Sequence, residues 1–283
     1  MRIVITGCKG QLGQILCRQW AGQTLLSMDL PDYDITRVES IEPAILAFRP
    51  DVIMHTAAYT NVDGCERDPD LAYRVNALGT HNVAVAAQKA GAALCHISTN
   101  EVFDGHKGAP YLEQDERHPL SAYARSKYYA ERYVETLLQR FYIVRIAWLF
   151  APGGSNFVSK ICALGRERGR LRIVNDEISS PTYAPHLAGA LARLIETEHY
   201  GTYHLTNAGI CSRFEFAGYF LPLAGLGHVA IEPITSDQFQ RASTPPLYCP
   251  IRNFAAAESL GIVLPHWHDA VRDYFAATES PAC

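Results

Sequence analysis

The run Arg2-Ile-Val-Ile-Thr6 leads directly into Gly7-Cys8-Lys9-Gly10-Gln11-Leu12-Gly13 and then into a stretch of helical composition. Nothing else in the chain limits the fold as much. An apolar run without polar alternation is a strand covered on both faces, and a strand that passes at once into a helix begins a parallel sheet with crossover connections. Glycines at the junction permit a tight turn and a close approach of backbone. The first turn of the helix then presents free N–H groups, at the positive end of its dipole, to an anion such as a pyrophosphate. The spacing is GxxGxxG rather than GxGxxG, and its place between a strand and a helix points to a dinucleotide loop.

The pattern repeats. Candidate strands are 24–28 (TLLSM), 51–55 (DVIMH), 93–98 (ALCHIS) and 142–148 (YIVRIAW), separated by helical stretches over 11–21, 38–48, 69–90 and 122–140. Right-handed crossovers between such strands give an α/β fold, a doubly wound parallel sheet. After Pro152-Gly153-Gly154 the alternation loosens. The spacing predicts a helix over 155–168, a short strand over 171–174, a helix over 184–197, a strand over 201–206 and a helix near 213–224. A proline-rich loop, Thr244-Pro245-Pro246, and two short helices follow. The expected division is a dinucleotide-binding domain, 1–150 with 183–206, and a smaller C-terminal substrate lobe, 151–182 with 207–283. The lobe covers the carboxyl edge of the sheet, where ligands bind in such folds.

Composition narrows the function. The chain is 48% hydrophobic and 19% charged with a formal net charge of -4, which offers no footprint for nucleic acid or a membrane surface. No apolar stretch approaches the roughly 18 residues of a membrane-spanning helix. No signal peptide precedes the first strand, because Ile3 to Ile5 run straight into the glycine loop. The eight cysteines are scattered without a CxxC pair or a metal-type cluster, which reads as reduced thiols in a cytoplasmic protein with no metal site. A homodimer is the expectation from symmetry alone.

Three side chains carry candidate chemistry. Asp29, closing the second strand, is placed to accept from adenosine ribose hydroxyls and to repel a 2'-phosphate, whereas Lys9 in the loop attracts one, so NADPH and NADH both stay open. Tyr123 and Lys127 lie four apart at the start of a predicted helix and share a face. A nearby ammonium favours the tyrosinate and lowers the phenol toward working pH, and the same lysine can hold the nicotinamide ribose. Thr99, at the end of the fourth strand, can hold the carbonyl oxygen that Tyr123 protonates as hydride arrives from the cofactor.

The order GxxGxxG, strand-end Thr and YxxxK resembles the extended short-chain dehydrogenase/reductases, whose sheet is of the Rossmann type. Closer motifs resemble the dTDP-4-dehydrorhamnose reductase family: GQLG (10–13), RPDVIMHTAAYTNVDGCE (49–66), VNALGTHNVA (75–84), VFDG (102–105), YARSK (123–127), RIAWLF (145–150), SPTYAPHLA (180–188), GTYHLT (201–206) and LPHW (264–267). The resemblance implies reduction of a 4-keto-6-deoxy sugar nucleotide. It implies cofactor contacts from Gly7, Gly10, Gln11, Leu12, Gly13 and Asp29, with Asp34, Ile35, Ala57, Ala58 and Tyr59 around the adenosine. Asn76 is implied in cofactor binding and in supporting the catalytic strand. On the sugar side it implies Thr99, Asn100, Glu101, Phe103, Tyr123, Trp148 as a flat apolar wall, Asn156 and Thr182.

Two departures stand out. The family reads STDYVFDG where this chain has STNEVFDG (98–105), and it carries an arginine in the C-terminal loop where this chain has Thr244-Pro245-Pro246-Leu247-Tyr248-Cys249. Arg241 and Arg252 are the candidate replacements. Related nucleotide-sugar 4,6-dehydratases have Thr-Asp-Glu in place of Thr99-Asn100-Glu101. An amide at position 100 cannot donate the proton that elimination needs. Glu101 still leaves room for an epimerase or epimerase-reductase that uses it as base. A non-catalytic cofactor-binding regulatory subunit is the alternative of another class.

Overall fold

The computed structural model describes residues 1–279. Six parallel strands form the central sheet, in the order Gly201–His204, β5, β4, β3, β1, β2, with β1 at Arg2–Thr6, β2 at Thr24–Met28, β3 at Val52–His55, β4 at Ala93–Thr99 and β5 at Phe141–Ile146. The period of two in each strand divides the core between the faces. Ile3 and Ile5 pack with Leu12 and Leu16 of α1 (Gln11–Gln19) and with Leu187 and Leu191 of the helix Ala184–Ile195. Val4 points the other way, among Ile41 and Ile45 of α2 (Val38–Phe48), Val83 of the helix Gly79–Ala90 and Val134 of the helix Ala122–Leu137. The sheet is therefore doubly wound. The chain turns from β2 back across β1 to β3, which opens a crevice between the loops that leave β1 and β3.

The segment 69–90, expected as one helix, is three pieces: Pro69–Ala72, a π-helical stretch Tyr73–Leu78, and Gly79–Ala90. A second apolar core lies beyond the sheet. It gathers Phe150, Val158, Leu171, Phe216, Phe220 and Trp267. Its short parallel pair joins Arg170–Val174 to Ala230–Ile234. The second of these strands is largely exposed and contains Glu232 and Pro233, so it lacks the apolar run that betrays a buried strand. The helix Phe254–Leu260, expected in the lobe, sits against the sheet instead, with Ala256, Ile262 and Leu264 in the sheet core. The seven cysteines among the described residues are free thiols; Cys283 lies outside them. No helix among the described residues is long and apolar enough to cross a membrane.

Candidate active site

The glycine loop is built for close contact. Gly7 has φ +72°, and a Cβ there would stand 2.6 Å from the Ala57 backbone N. At Gly13 a Cβ would stand 2.1 Å from the Gly7 carbonyl oxygen, so the helix can begin against the loop only without a side chain. These approaches press the β1 and β3 loops together and leave two cavities with a shared edge at Gly10, Thr56 and Ala58.

The first cavity, about 380 Å³, is lined by Gly7, Asp29, Asp34, Ile35, Ala57 and Tyr59 among others. Asp29 Oδ2 accepts the Lys9 backbone N–H at 2.8 Å, and Oδ1 accepts that of Leu30 at 2.8 Å. The Lys9 ammonium bonds the Leu30 carbonyl at the same rim. Asp34 accepts from the Thr36 N–H and hydroxyl at 2.9 and 2.7 Å, and Ile35 packs beneath Gly79.

The second cavity, about 410 Å³, brings together Gln11, Leu12, Gly13, Thr99, Tyr123, Lys127, Trp148 and Asn156. Ser121 caps the helix Ala122–Leu137, which puts Tyr123 and Lys127 on its first turns, facing the end of β4. Lys127 is buried; its Nζ donates to the Ile97 carbonyl at 2.6 Å and faces His96 Nε2 at 3.2 Å. Burial pulls that ammonium down to about 7, although Glu131, one turn on, pushes it back up. His96 stacks on His55 at 5.3 Å, and burial holds both rings neutral well below the usual histidine range.

The expected lowering of the Tyr123 phenol is not seen. Burial and the Glu101 carboxylate push it up, its hydrogen bond with Thr99 pulls it down, and Lys127 is turned toward His96 and Ile97. Tyr123 is thus held as a protonated acid.

Three expected contacts lie elsewhere. Phe103 is fully buried, stacked on Tyr111 at 4.3 Å beside Cys249 and Ile251, so it is a core residue and not a substrate contact. Asn76 lines neither cavity. Its carboxamide accepts the Tyr59 N–H at 2.7 Å and donates to the Tyr59 carbonyl at 3.0 Å and to Ser126 Oγ at 2.9 Å, so it holds the Tyr59 loop and does not face either cavity. Thr182 is fully buried and donates to the Ala147 carbonyl at 2.6 Å, which anchors the backbone next to Trp148 instead of touching the cavity.

Asn100 reaches the cavity edge, yet its amide donates away from it, to the Cys249 carbonyl at 2.8 Å. Asn156 caps the helix Phe157–Arg168 and donates to the Ala151 carbonyl at 2.8 Å. Glu101 lies at the cavity with its Oε2 shut off from solvent and without a partner. Burial pushes its carboxyl up to about 7, with Glu177 adding to the rise and Arg213 and Arg241 opposing it.

The sequence reading missed Arg213, which borders this cavity, a small one of about 110 Å³ beside Ser243 and Pro245, and a large one of about 1020 Å³ over the second core. One signal was available. Arg213 opens the helix Arg213–Leu223, behind the Ser212/Glu215 capping box, and a cation at that end opposes the helix dipole. Of the two candidate replacement arginines, Arg241 borders the large cavity and pairs with Glu177, whereas Arg252 lies against Phe254 and Glu258, off the cavities.

Comparison with known proteins agrees with this geometry. The family described as RmlD substrate binding domain matches residues 1–280. The spore coat polysaccharide biosynthesis protein SpsK of Bacillus subtilis is 35% identical, over 100% of this chain and 99% of its own. The dTDP-4-dehydrorhamnose reductase of Mycobacterium tuberculosis is 37% identical, over 98% of this chain and 93% of its own. Among solved structures, the dTDP-4-dehydrorhamnose reductase of Bacillus anthracis in complex with NADP superposes with a TM-score of 0.95 at 37% identity, covering 98% of this chain and 99% of that one. At 17% identity, the dTDP-glucose 4,6-dehydratase DesIV of Streptomyces venezuelae has the same fold, with a TM-score of 0.84.

Proposed function

The chain belongs to the dTDP-4-dehydrorhamnose reductase family, and we propose that it reduces the 4-keto group of a 6-deoxy sugar nucleotide, dTDP-4-dehydrorhamnose, with NADPH or NADH. The observation that carries this reading is the opening of Thr99, Tyr123 and Lys127 into a cavity continuous with the glycine loop. The loop fits a dinucleotide: Gly7 and Gly13 leave no space for side chains, and the two cavities meet at Gly10, Thr56 and Ala58. When bound, the cofactor supplies the hydride that attacks the carbonyl carbon.

The chain's own residues do the rest. The Thr99 hydroxyl and the Tyr123 phenol hold the carbonyl oxygen. Tyr123, kept protonated by burial, passes its proton to that oxygen as negative charge develops on it. Lys127, lining the same cavity with its ammonium at the Ile97 carbonyl, holds the ribose. Trp148 forms the sugar's flat wall, and Gln11, Leu12 and Asn156 line the space between sugar and pyrophosphate.

The same reading divides the chain into a dinucleotide-binding part, 1–150 with 183–206, and a substrate part from 151–182 and 207 onward. The two separate apolar cores support it, with 254–264 placed against the sheet. A cytoplasmic, homodimeric enzyme is part of the proposal.

Oxidation of NADPH on addition of dTDP-4-dehydrorhamnose tests it. Tyr123→Phe is expected to lower kcat by about 10²–10⁴-fold with NADPH affinity retained; an unchanged rate overturns the mechanism. Cofactor binding without turnover would favour the regulatory-subunit reading. The partner-free Oε2 of Glu101 favours a second reading, in which this carboxylate also removes a proton from the carbon next to the keto group. Solvent deuterium entering the sugar in wild type and not in Glu101→Gln would show it.

A further inference from the structure

Arg213 is held in an unusual way for a cation with so many donors. Its guanidinium carbon lies 3.6 Å from the centre of the Trp148 ring and 4.9 Å from that of Phe157. Contact with aromatic faces leaves the in-plane N–H groups free to bond at the edge. Among the described residues, no hydrogen bond to that guanidinium is made. Glu177 Oε2 stands at 3.8 Å from Nε, and Arg241 engages the other oxygen of Glu177. Burial draws the Arg213 cation down to about 10, so it is charged at neutral pH.

The Trp148 side of this arrangement is costly. Trp148 has φ +44°, a left-handed backbone that an L-residue avoids, and Thr182 pins the residue before it through the Ala147 carbonyl. The strain places the indole where it covers Arg213 and faces the sugar cavity at once. The free guanidinium edge lies where the sugar cavity meets the large cavity, which also presents Lys160, Phe157 and Phe239.

We propose that Arg213, braced by Trp148 and Phe157, is the phosphate-binding cation of the substrate site, taking the sugar-proximal phosphate of a nucleoside diphosphate sugar and so setting how far the keto sugar reaches toward Tyr123. It rests on the reductase reading for the identity of the sugar. The diphosphate crosses from one cavity to the other at Arg213, with the nucleoside over the second core and the sugar beside Thr99.

Calorimetric titration of the full chain, saturated with NADP so that the glycine loop is filled, separates phosphate recognition from the rest. The probes are thymidine diphosphate and thymidine. Arg213→Met is expected to weaken thymidine diphosphate binding about 10- to 100-fold, the loss of one or two charge-assisted hydrogen bonds, with thymidine and NADP affinities unchanged. Arg213→Lys keeps the charge without the fork and is expected to lose several-fold for the diphosphate alone, which decides the matter should the methionine variant fail to fold. Equal diphosphate affinity in either variant overturns the proposal, as does a parallel loss for thymidine. Absence of NADPH oxidation in wild type would sink the reductase reading and leave this binding result readable by itself.

Discussion

Replacing Glu101 with glutamine exchanges a titrating carboxyl for a neutral amide of the same shape, at a position whose Oε2 has no partner to lose. The folded protein raises this carboxyl from 4.5 to about 7. Between those values the folded state keeps the proton and the unfolded chain has released it. Wild-type stability therefore falls as pH rises through the window, and the penalty is complete above about pH 7. A rise of about 2.5 pH units at 1.36 kcal/mol each gives about 3 kcal/mol. Lys127 titrates in both proteins and cancels from the difference. Urea unfolding of wild type and Glu101→Gln, at constant ionic strength from pH 4.5 to 8, is expected to show equal stabilities at the acid end and an advantage for the variant that grows to about 3 kcal/mol. A difference that stays flat across the window would refute the reasoning, because a packing or hydrogen-bond effect of the substitution does not titrate.

Gly13→Ala drives a Cβ into the Gly7 carbonyl at 2.1 Å, backbone against backbone with no side chain to yield; NADPH affinity by fluorescence titration is expected to collapse, with a stability loss of about 1–3 kcal/mol. Arg145→Met strips Glu131 of two hydrogen bonds, each 2.9 Å, in a site where both side chains are essentially buried. Its expected cost is about 3–5 kcal/mol in urea unfolding, and a Glu131→Leu, Arg145→Met double variant is expected to recover much of that loss.

The sheet was legible because strands buried on both faces leave unbroken apolar runs: RIVIT ends where the structure ends it. The segment 69–90 was legible as helical and not as broken, since composition carries no mark of the extra residue in a π-helical turn at Tyr73–Leu78. Thr99, Tyr123 and Lys127 could be found because their local spacing and order already place them at a strand end and on one helix face. Phe103 could not be placed that way. A residue after a strand end points to the cavity or to the core according to a short 3₁₀ turn, here Asn100–Val102, that local pattern does not specify. Arg213 escaped for a different reason: its role arises only where Trp148, Phe157 and Glu177, distant in the chain, meet around it.

The carboxamide of Asn76 joins the Tyr59 backbone to Ser126, whose hydroxyl in turn donates to the Tyr123 carbonyl at 2.7 Å. One side chain thus serves as a spacer between the Tyr59 wall of the cavity beside Asp29 and Asp34 and the helix that carries Tyr123. On the proposed reading, seating of the nucleotide and aim of the phenol are expected not to be independent adjustments, because a displacement of the Tyr59 loop reaches the Tyr123 backbone through Asn76 and Ser126.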